Sequence, residues 1–394
     1  MLKLSQRFSS YVSSFSLTDP KTFKIPTFRV IDEEGVPISQ EIASNPVFNK
    51  DFLTKIYKTM MEVQEFDTLY YDLQRQGVIS FYMQNTGEEG LQVASAAALE
   101  KGDWVFPQYR ELGVFFWRGF SIQQASHQLF SNCKDLGVGK QMPVHYGSRE
   151  LNMQTVRSPL ATQIPQSVGL GYGLRLKNQQ SISVTYFGDG AASEGDAHAA
   201  LNFASTLQSQ TLFMVRNNQY AISTNTKDQF GSDGIAVRGV AYGMEAGRID
   251  GNDPLACYWA TKQARSFILE HKKPVLLEFM TYRRGHHSTS DDASRYRNKE
   301  ELEYYLKVNN PLVRLEKFLR KMGWLDFDPV EVQKETRERI LKCKDIAKNE
   351  KLPNWELMFD DVYDKLTPEL EKQKLEMKKF LEIYGDKYEM AKHE

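Results

Sequence analysis

The chain has 394 residues, 41% of them hydrophobic and 26% charged, and its 50 Lys+Arg against 51 Asp+Glu give a formal net charge of −1. Near-neutral charge argues against nucleic-acid binding driven by bulk electrostatics, and the apolar share is too high for a disordered chain. No apolar run reaches the roughly 18 residues that a membrane-spanning helix needs. The three cysteines, Cys133, Cys257 and Cys343, are far apart in sequence, which excludes a CxxC site and fits a reducing compartment.

Residues 1–18 carry Lys3 and Arg7, no acid, and five serines among positions 9–18. Basic, Ser-rich and acid-free is the composition of a mitochondrial transit peptide. Pro20, Pro26, Gly35, Pro37 and Pro46 then break any long element, so 19–48 reads as an extended surface arm. From 49 to 76, Phe52, Ile56, Met60, Val63 and Phe66 recur at spacings of three and four, which predicts an amphipathic helix stopped by Gly77. A small-residue helix over 88–100 follows, then a short buried strand at 104–107.

The middle of the chain alternates strand and helix. ISVTYF at 182–187, TLFMVR at 211–216 and VLLEFMT at 275–281 are apolar runs separated by helical segments, one opening near Ser193 as candidate N-cap and another spanning roughly 254–271. Fully apolar strands joined by helices predict an α/β fold: a central, mostly parallel sheet with helices on both faces. GLGYG at 169–173 does not follow a strand, so it reads as a closely packed helix face rather than a dinucleotide fingerprint. From 341 to 394, 11 Lys+Arg and 13 Asp+Glu make a charged helical tail. Within it Trp355, Leu357, Met358, Phe359, Val362 and Tyr363 form an apolar cluster, expected to be buried against this chain or another. The chain thus divides into the arm, an α/β domain over 49–298 and a C-terminal helical region over 299–394.

The chemistry concentrates at GDGAASEGD, 188–196, and RNNQYAIST, 216–224. In an open parallel sheet, ligands bind outside the carboxyl ends of the strands. Asp189 lies at one such end and Asn218 at the next, brought side by side by the crossover. Both offer hard oxygens suited to Mg²⁺, and the backbone amides from Gly190 onward suit a diphosphate. A lone GDG is a weak signal; GDG, then 26 residues, then NN, with a strand before each, is a strong one.

This spacing resembles the signature of thiamine-diphosphate enzymes. PQYRELG at 107–113, RSPLATQIPQSVG at 157–169 and YRRGHHSTSDDASRYR at 282–297 resemble the alpha subunits of branched-chain 2-oxo acid dehydrogenases, from about residue 22 to the C-terminus. The resemblance implies a thiamine-diphosphate-binding fold and oxidative decarboxylation of branched 2-oxo acids such as 3-methyl-2-oxobutanoate, with acyl transfer to a lipoyl domain. It implies Mg²⁺ on Asp189, Asn218 and the Tyr220 carbonyl; mammalian-type sequences carry Glu at the first of these. It places cofactor contacts at Tyr109, Arg110, Ser158, Gly190, Ala191, Arg216 and His287, and a potassium ion on oxygens of Arg157, Pro159, Thr162 and Gln163. His287 matches the catalytic histidine, while His286 supports the loop and His145 is left outside the site. Ser288 matches an inhibitory phosphorylation position, and a second one falls on Asn298 and is absent. The implied partners are a beta subunit in a two-alpha, two-beta assembly, a lipoyl-bearing acyltransferase core, and a regulatory kinase and phosphatase, in the mitochondrial matrix. A pyruvate- or acetoin-type alpha subunit and a non-catalytic regulatory or scaffold subunit are the alternatives.

Overall fold

The computed structural model describes residues 13–394, so most of the 1–18 leader reading lies outside the described residues. Six strands, all parallel, form one sheet: β1 (Thr27–Phe28), β2 (Trp104–Phe106), β3 (Ser183–Gly188), β4 (Thr211–Asn217), β5 (Glu245–Asp250) and β6 (Val275–Met280), in the order β1-β5-β6-β4-β3-β2. The expected strands are present within about a residue, and β5 is additional. Period-two alternation sends neighbouring side chains to opposite faces. Leu212 and Met214 of β4 join one core cluster, Phe213 and Val215 the other. Helices cover both faces, as the apolar runs predict.

The first long helix, α1, spans Lys50–Arg75, capped by the Asn49 side chain on the Phe52 amide and followed by Gly77. After α2 (Glu89–Ala97), α3 (Leu112–Arg118) and α4 (Ile122–Leu129) comes α5 (Gln163–Leu176), which contains the glycine-rich segment. There only Gly171 is tightly enclosed. A Cβ on it would meet the Thr211 hydroxyl, lie 2.6 Å from Ser209 Oγ and 3.0 Å from the Gln210 carbonyl carbon, whereas nothing in the chain lies within 4 Å at Gly173. Gly171→Ala is therefore expected to lower stability by about 1–3 kcal/mol. Gly173→Ala should be neutral or stabilising by about 0.5–1 kcal/mol, because alanine loses less backbone entropy in a helix. Thermal unfolding of the two variants checks the contrast.

One expectation about helix starts is corrected. Residues Ala191–Ser193 form a 3₁₀ turn, and α6 (Gly195–Thr206) begins after Glu194, so Ser193 is not its N-cap. The helix expected at 254–271 is α7 (Pro254–His271), capped by Asp253, whose Oδ1 accepts from the Leu255 and Ala256 amides.

The segment 19–48 is more than a surface arm. β1 completes the sheet edge against β5, and Val30 and Ile31 are fully buried with both amides donating to Asp253 Oδ2, at 2.7 and 2.8 Å. The region after 298 joins the same core. It contains α8 (Lys299–Lys307), α9 (Pro311–Lys321) and α10 (Pro329–Asn349), and buries Leu315, Phe318, Leu319 and Ile340. Gly35 of the arm sits directly on α9; a Cβ there would be 2.6 Å from the Phe318 amide nitrogen.

Of the apolar cluster at 355–363, only Phe359 is buried against this chain, while Met358, Val362 and Tyr363 are exposed by half or more. The helix that follows, α11 (Pro368–Tyr384), buries no residue. No helix among the described residues is long and apolar enough to cross a membrane.

Candidate active site

The carboxyl ends of β3 and β4 are adjacent in register, with Gly188 opposite Arg216, so Asp189 and Asn218 emerge side by side. They open into a cavity of about 570 Å³ walled also by the loops 81–83, 108–110, 142–145 and 157–160 and by His287. Tyr109, Arg110, Ser158, Gly190, Ala191, Arg216, Tyr220 and Ser288 all line it, so the residues expected at the cofactor converge on one place. Arg157, Pro159 and Thr162 line an adjoining groove of about 430 Å³. The expected potassium residue Gln163 is not among the groove's lining residues; its Nε2 donates to the Tyr186 carbonyl at 3.1 Å, which leaves its oxygens unassigned.

Asp189 is buried, and its Oδ2 has no hydrogen-bond partner. Burial pushes its carboxyl up to about 6. An unpartnered buried carboxylate oxygen fits a cation ligand. Asn218 Oδ1 accepts from the Tyr220 amide at 3.3 Å, and the Tyr220 carbonyl accepts from Arg283 Nη1 at 2.8 Å, leaving that oxygen a second lone pair. Among the described residues no group of three His, Cys, Asp or Glu side chains could hold a metal by itself. One carboxylate with an amide and a carbonyl oxygen is the partial, hard-oxygen set that suits Mg²⁺ completed by phosphate and water.

Arg216 is fully sequestered. Its Nε donates to Glu111 at 2.6 Å, Nη1 to Glu88 at 2.8 Å and Nη2 to Gln108 at 3.1 Å. Three of the five guanidinium N–H groups are thus fixed by protein, which leaves one on each Nη for an anion. Glu88, Glu111 and Gln108 are therefore part of the site, although sequence reasoning missed them. Gln108 and Glu111 lie within the PQYRELG word at 107–113, but nothing in GEEG at 87–90 marks Glu88 as more than a helix start.

His287 sits against Arg110. The guanidinium donates to the His287 and Gln84 carbonyls, and its Nη2 lies 3.4 Å from Nδ1 of the imidazole. Burial, with Arg110 and Arg283 nearby, pushes the imidazole down to about 3, so it is neutral at physiological pH. A cation facing Nδ1 assigns the proton to Nε2, which makes Nε2 the donor. The loop is pinned around it. The His287 amide donates to Asp291, His286 Nδ1 accepts from the Ala293 amide, and Arg297 donates to the carbonyls of residues 283, 284 and 285. His286 also stacks on Tyr71, the supporting role expected of it. His145 proves to belong to the wall: its Nε2 lies 2.7 Å from Ser158 Oγ and its Nδ1 lies 3.1 Å from the Pro143 carbonyl.

Because the folded loop favours neutral His287, the stability this contributes is fully present above the ordinary histidine value and declines as pH falls from 6.5 toward about 3. Asp291, held below the usual carboxylate range by Tyr296 and the His287 amide despite its burial, stays ionised through most of that interval. Protease cleavage within 283–297 is expected to rise between about pH 7 and about pH 5 in the wild type and to stay flat in His287→Gln.

The family described as "Dehydrogenase E1 component" matches residues 57–356. The chain belongs to this family. Among curated relatives, the 2-oxoisovalerate dehydrogenase subunit alpha, mitochondrial, of Dictyostelium discoideum is 46% identical over 380 residues, 96% of this chain and 86% of that protein. The proteins of the same name from Caenorhabditis elegans and Homo sapiens are 46% and 44% identical, covering 93% and 96% of this chain and 85% of each relative. In this E1 chain the cavity at the ends of β3 and β4 is the candidate active site.

Proposed function

We propose that this chain is the mitochondrial alpha subunit of a thiamine-diphosphate-dependent branched-chain 2-oxo acid dehydrogenase. It would act with a beta subunit, in an assembly of two of each, and pass the acyl group to a lipoyl-bearing acyltransferase core. The observation that carries this reading is the convergence of Asp189, Asn218, Arg110 and His287 on one cavity at the strand ends, in a chain whose relatives over nearly its whole length bear that name. Thiamine diphosphate, when bound, supplies the nucleophilic carbon and the electron sink.

The chain's own residues would bind and orient. Gly190 and Ala191 would offer backbone amides to the diphosphate, with the remaining N–H groups of Arg216 beside them. Asp189, Asn218 and the Tyr220 carbonyl would hold Mg²⁺. Arg157, Pro159, Thr162 and Gln163 would hold K⁺ through oxygens. His287 offers a neutral imidazole with its Nε2 proton as donor, set against the edge of the Tyr109 ring. Ser158, bonded to His145, lines the same cavity. Ser288 is the proposed target of a regulatory kinase and phosphatase, because it borders both His287 and the cavity.

The exposed side chains of Met358, Val362 and Tyr363 suit an interface core and support dependence on a second subunit. The test is turnover of the chain reconstituted with its beta subunit, using a lipoyl domain as acceptor. A preference for 3-methyl-2-oxobutanoate over pyruvate of at least about tenfold in kcat/KM, ~1.4 kcal/mol in the transition state, is expected. Equal or reversed preference assigns the chain to a pyruvate-type enzyme, and no cofactor binding at all assigns it to a scaffold.

A further inference from the structure

We infer that Glu88 is a positioning residue that decides which end of the Asn218 amide meets the metal. The inference rests on the proposed metal role of Asn218. Glu88 is fully buried next to the first turn of α2, and its two oxygens serve two different strand-end side chains. Oε1 accepts from Asn218 Nδ2 at 2.7 Å and Oε2 accepts from Arg216 Nη1 at 2.8 Å. An asparagine amide has one donor end and one acceptor end, and a hard dication binds only the oxygen. A carboxylate is acceptor-only, so Glu88 can engage Asn218 only through its NH₂ group. That leaves Oδ1 as the end available to a cation.

Neutralising Arg216 does not by itself call for Glu88. Glu111 already meets the guanidinium at 2.6 Å, and a second buried carboxylate adds a charge that burial penalises. What Glu88 does and Glu111 does not is hold Asn218. The chain thus sets the metal ligand and the anion-facing arginine with a single group.

The experiment titrates Mn²⁺, followed by loss of the free-ion EPR signal, into the reconstituted alpha–beta assembly with thiamine diphosphate present. In Glu88→Gln, the new amide keeps its oxygen on Arg216 and turns its NH₂ toward the Asn218 NH₂. Donor then faces donor, Asn218 turns over, and Mn²⁺ affinity should fall at least about tenfold. Asn218→Asp alone sets two carboxylates against each other and should also weaken binding. Combined, the two substitutions reverse the polarity of the bond: the glutamine amide donates and an acceptor-only side chain faces the metal. The double variant should return to within about threefold of wild type. Glu111→Gln, which touches Arg216 but not Asn218, should weaken binding less than Glu88→Gln does.

A purely structural role would make the double variant no better than the singles, with affinity following the unfolding temperature; that result overturns the inference. So does a loss in Glu111→Gln equal to that in Glu88→Gln, which would trace the effect to Arg216. Asn218→Ala separates the two layers. If it leaves Mn²⁺ affinity unchanged, the metal reading itself fails. If it abolishes binding while Glu88→Gln does not weaken it, the positioning role fails and the metal reading stands. Should Glu88→Gln not fold alone, the double variant decides: it folds and binds Mn²⁺ within about threefold, or the inference falls.

Discussion

Asp189→Ala is expected to abolish Mg²⁺-dependent binding of thiamine diphosphate without weakening the fold. Asp189 supplies the one carboxylate proposed to ligate the metal at the junction of β3 and β4, and its Oδ2 has no partner within the chain. Removing it leaves the cation with neutral oxygens only and the diphosphate charge poorly neutralised. A loss of well over tenfold in cofactor affinity, more than ~1.4 kcal/mol, should follow. Stability should move the other way. The Asp189 carbonyl keeps its bond from Gln229 Nε2 at 2.7 Å in the alanine variant, while a buried carboxyl with an unpartnered oxygen disappears. The cofactor-free variant should therefore unfold at the same temperature as wild type or higher, a trade of function against stability. Calorimetric titration with and without Mg²⁺, paired with thermal unfolding, reads both signs. Cofactor binding within a factor of about two of wild type would show that the metal lies elsewhere.

Ser288→Glu should inactivate the assembly, whereas Ser288→Ala should remain active. Ser288 borders the cavity, and its hydroxyl accepts only one weak bond, from the Ser290 amide at 3.3 Å, so alanine costs little. A carboxylate there enters a crowded electrostatic arrangement. Asp291 already holds the His287 amide and the Tyr296 hydroxyl and would repel it. Arg110, which anchors the loop by donating to the His287 carbonyl, would be drawn toward the new charge. Repulsion from the cofactor diphosphate adds to this in a cleft of low effective dielectric. Turnover is expected to fall at least about a hundredfold, ~2.7 kcal/mol of barrier, and residues 283–297 should become protease-sensitive. Phosphate carries more charge than Glu, so the variant gives a lower bound for the modified protein. Full activity with a loop protected as in wild type would show that Ser288 does not gate the site.

The parts of the fold that could be read from the sequence are those whose stabilisation is local in character. β3, β4 and β6 are buried on both faces, so each is an unbroken apolar run bounded by polar residues. β5 escaped because it is charged: Arg248 in its centre is matched by Glu278 and Asp233, a compensation visible only in three dimensions. The arm misled for a related reason. Val30 and Ile31 make a short apolar pair among turn formers, and what lets them enter the core is the Asp253 carboxylate more than 220 residues later, which takes both of their amides.

The site divides in the same way. Asp189, Asn218 and His287 stand at strand ends, where topology alone brings side chains together. Glu88 and Glu111 become recognisable only once Arg216, 128 and 105 residues away, is seen between them. Met358, Val362 and Tyr363 announced an interface through composition, yet sequence could not say that this chain leaves them uncovered.

The docking of the arm has a consequence for the order in which the protein can be built. β1 leaves the ribosome early, but its strand partner lies about 220 residues downstream, and the α9 backbone that closes over Gly35 lies later still. Contacts this distant pay their loop-closure entropy late and slow the final assembly step. The segment 27–35 therefore lacks its native partners until roughly four-fifths of the polypeptide has been synthesised. A chain in that state has not yet closed its sheet edge over β1, which is the condition a polypeptide needs in order to be threaded through a membrane pore before it folds.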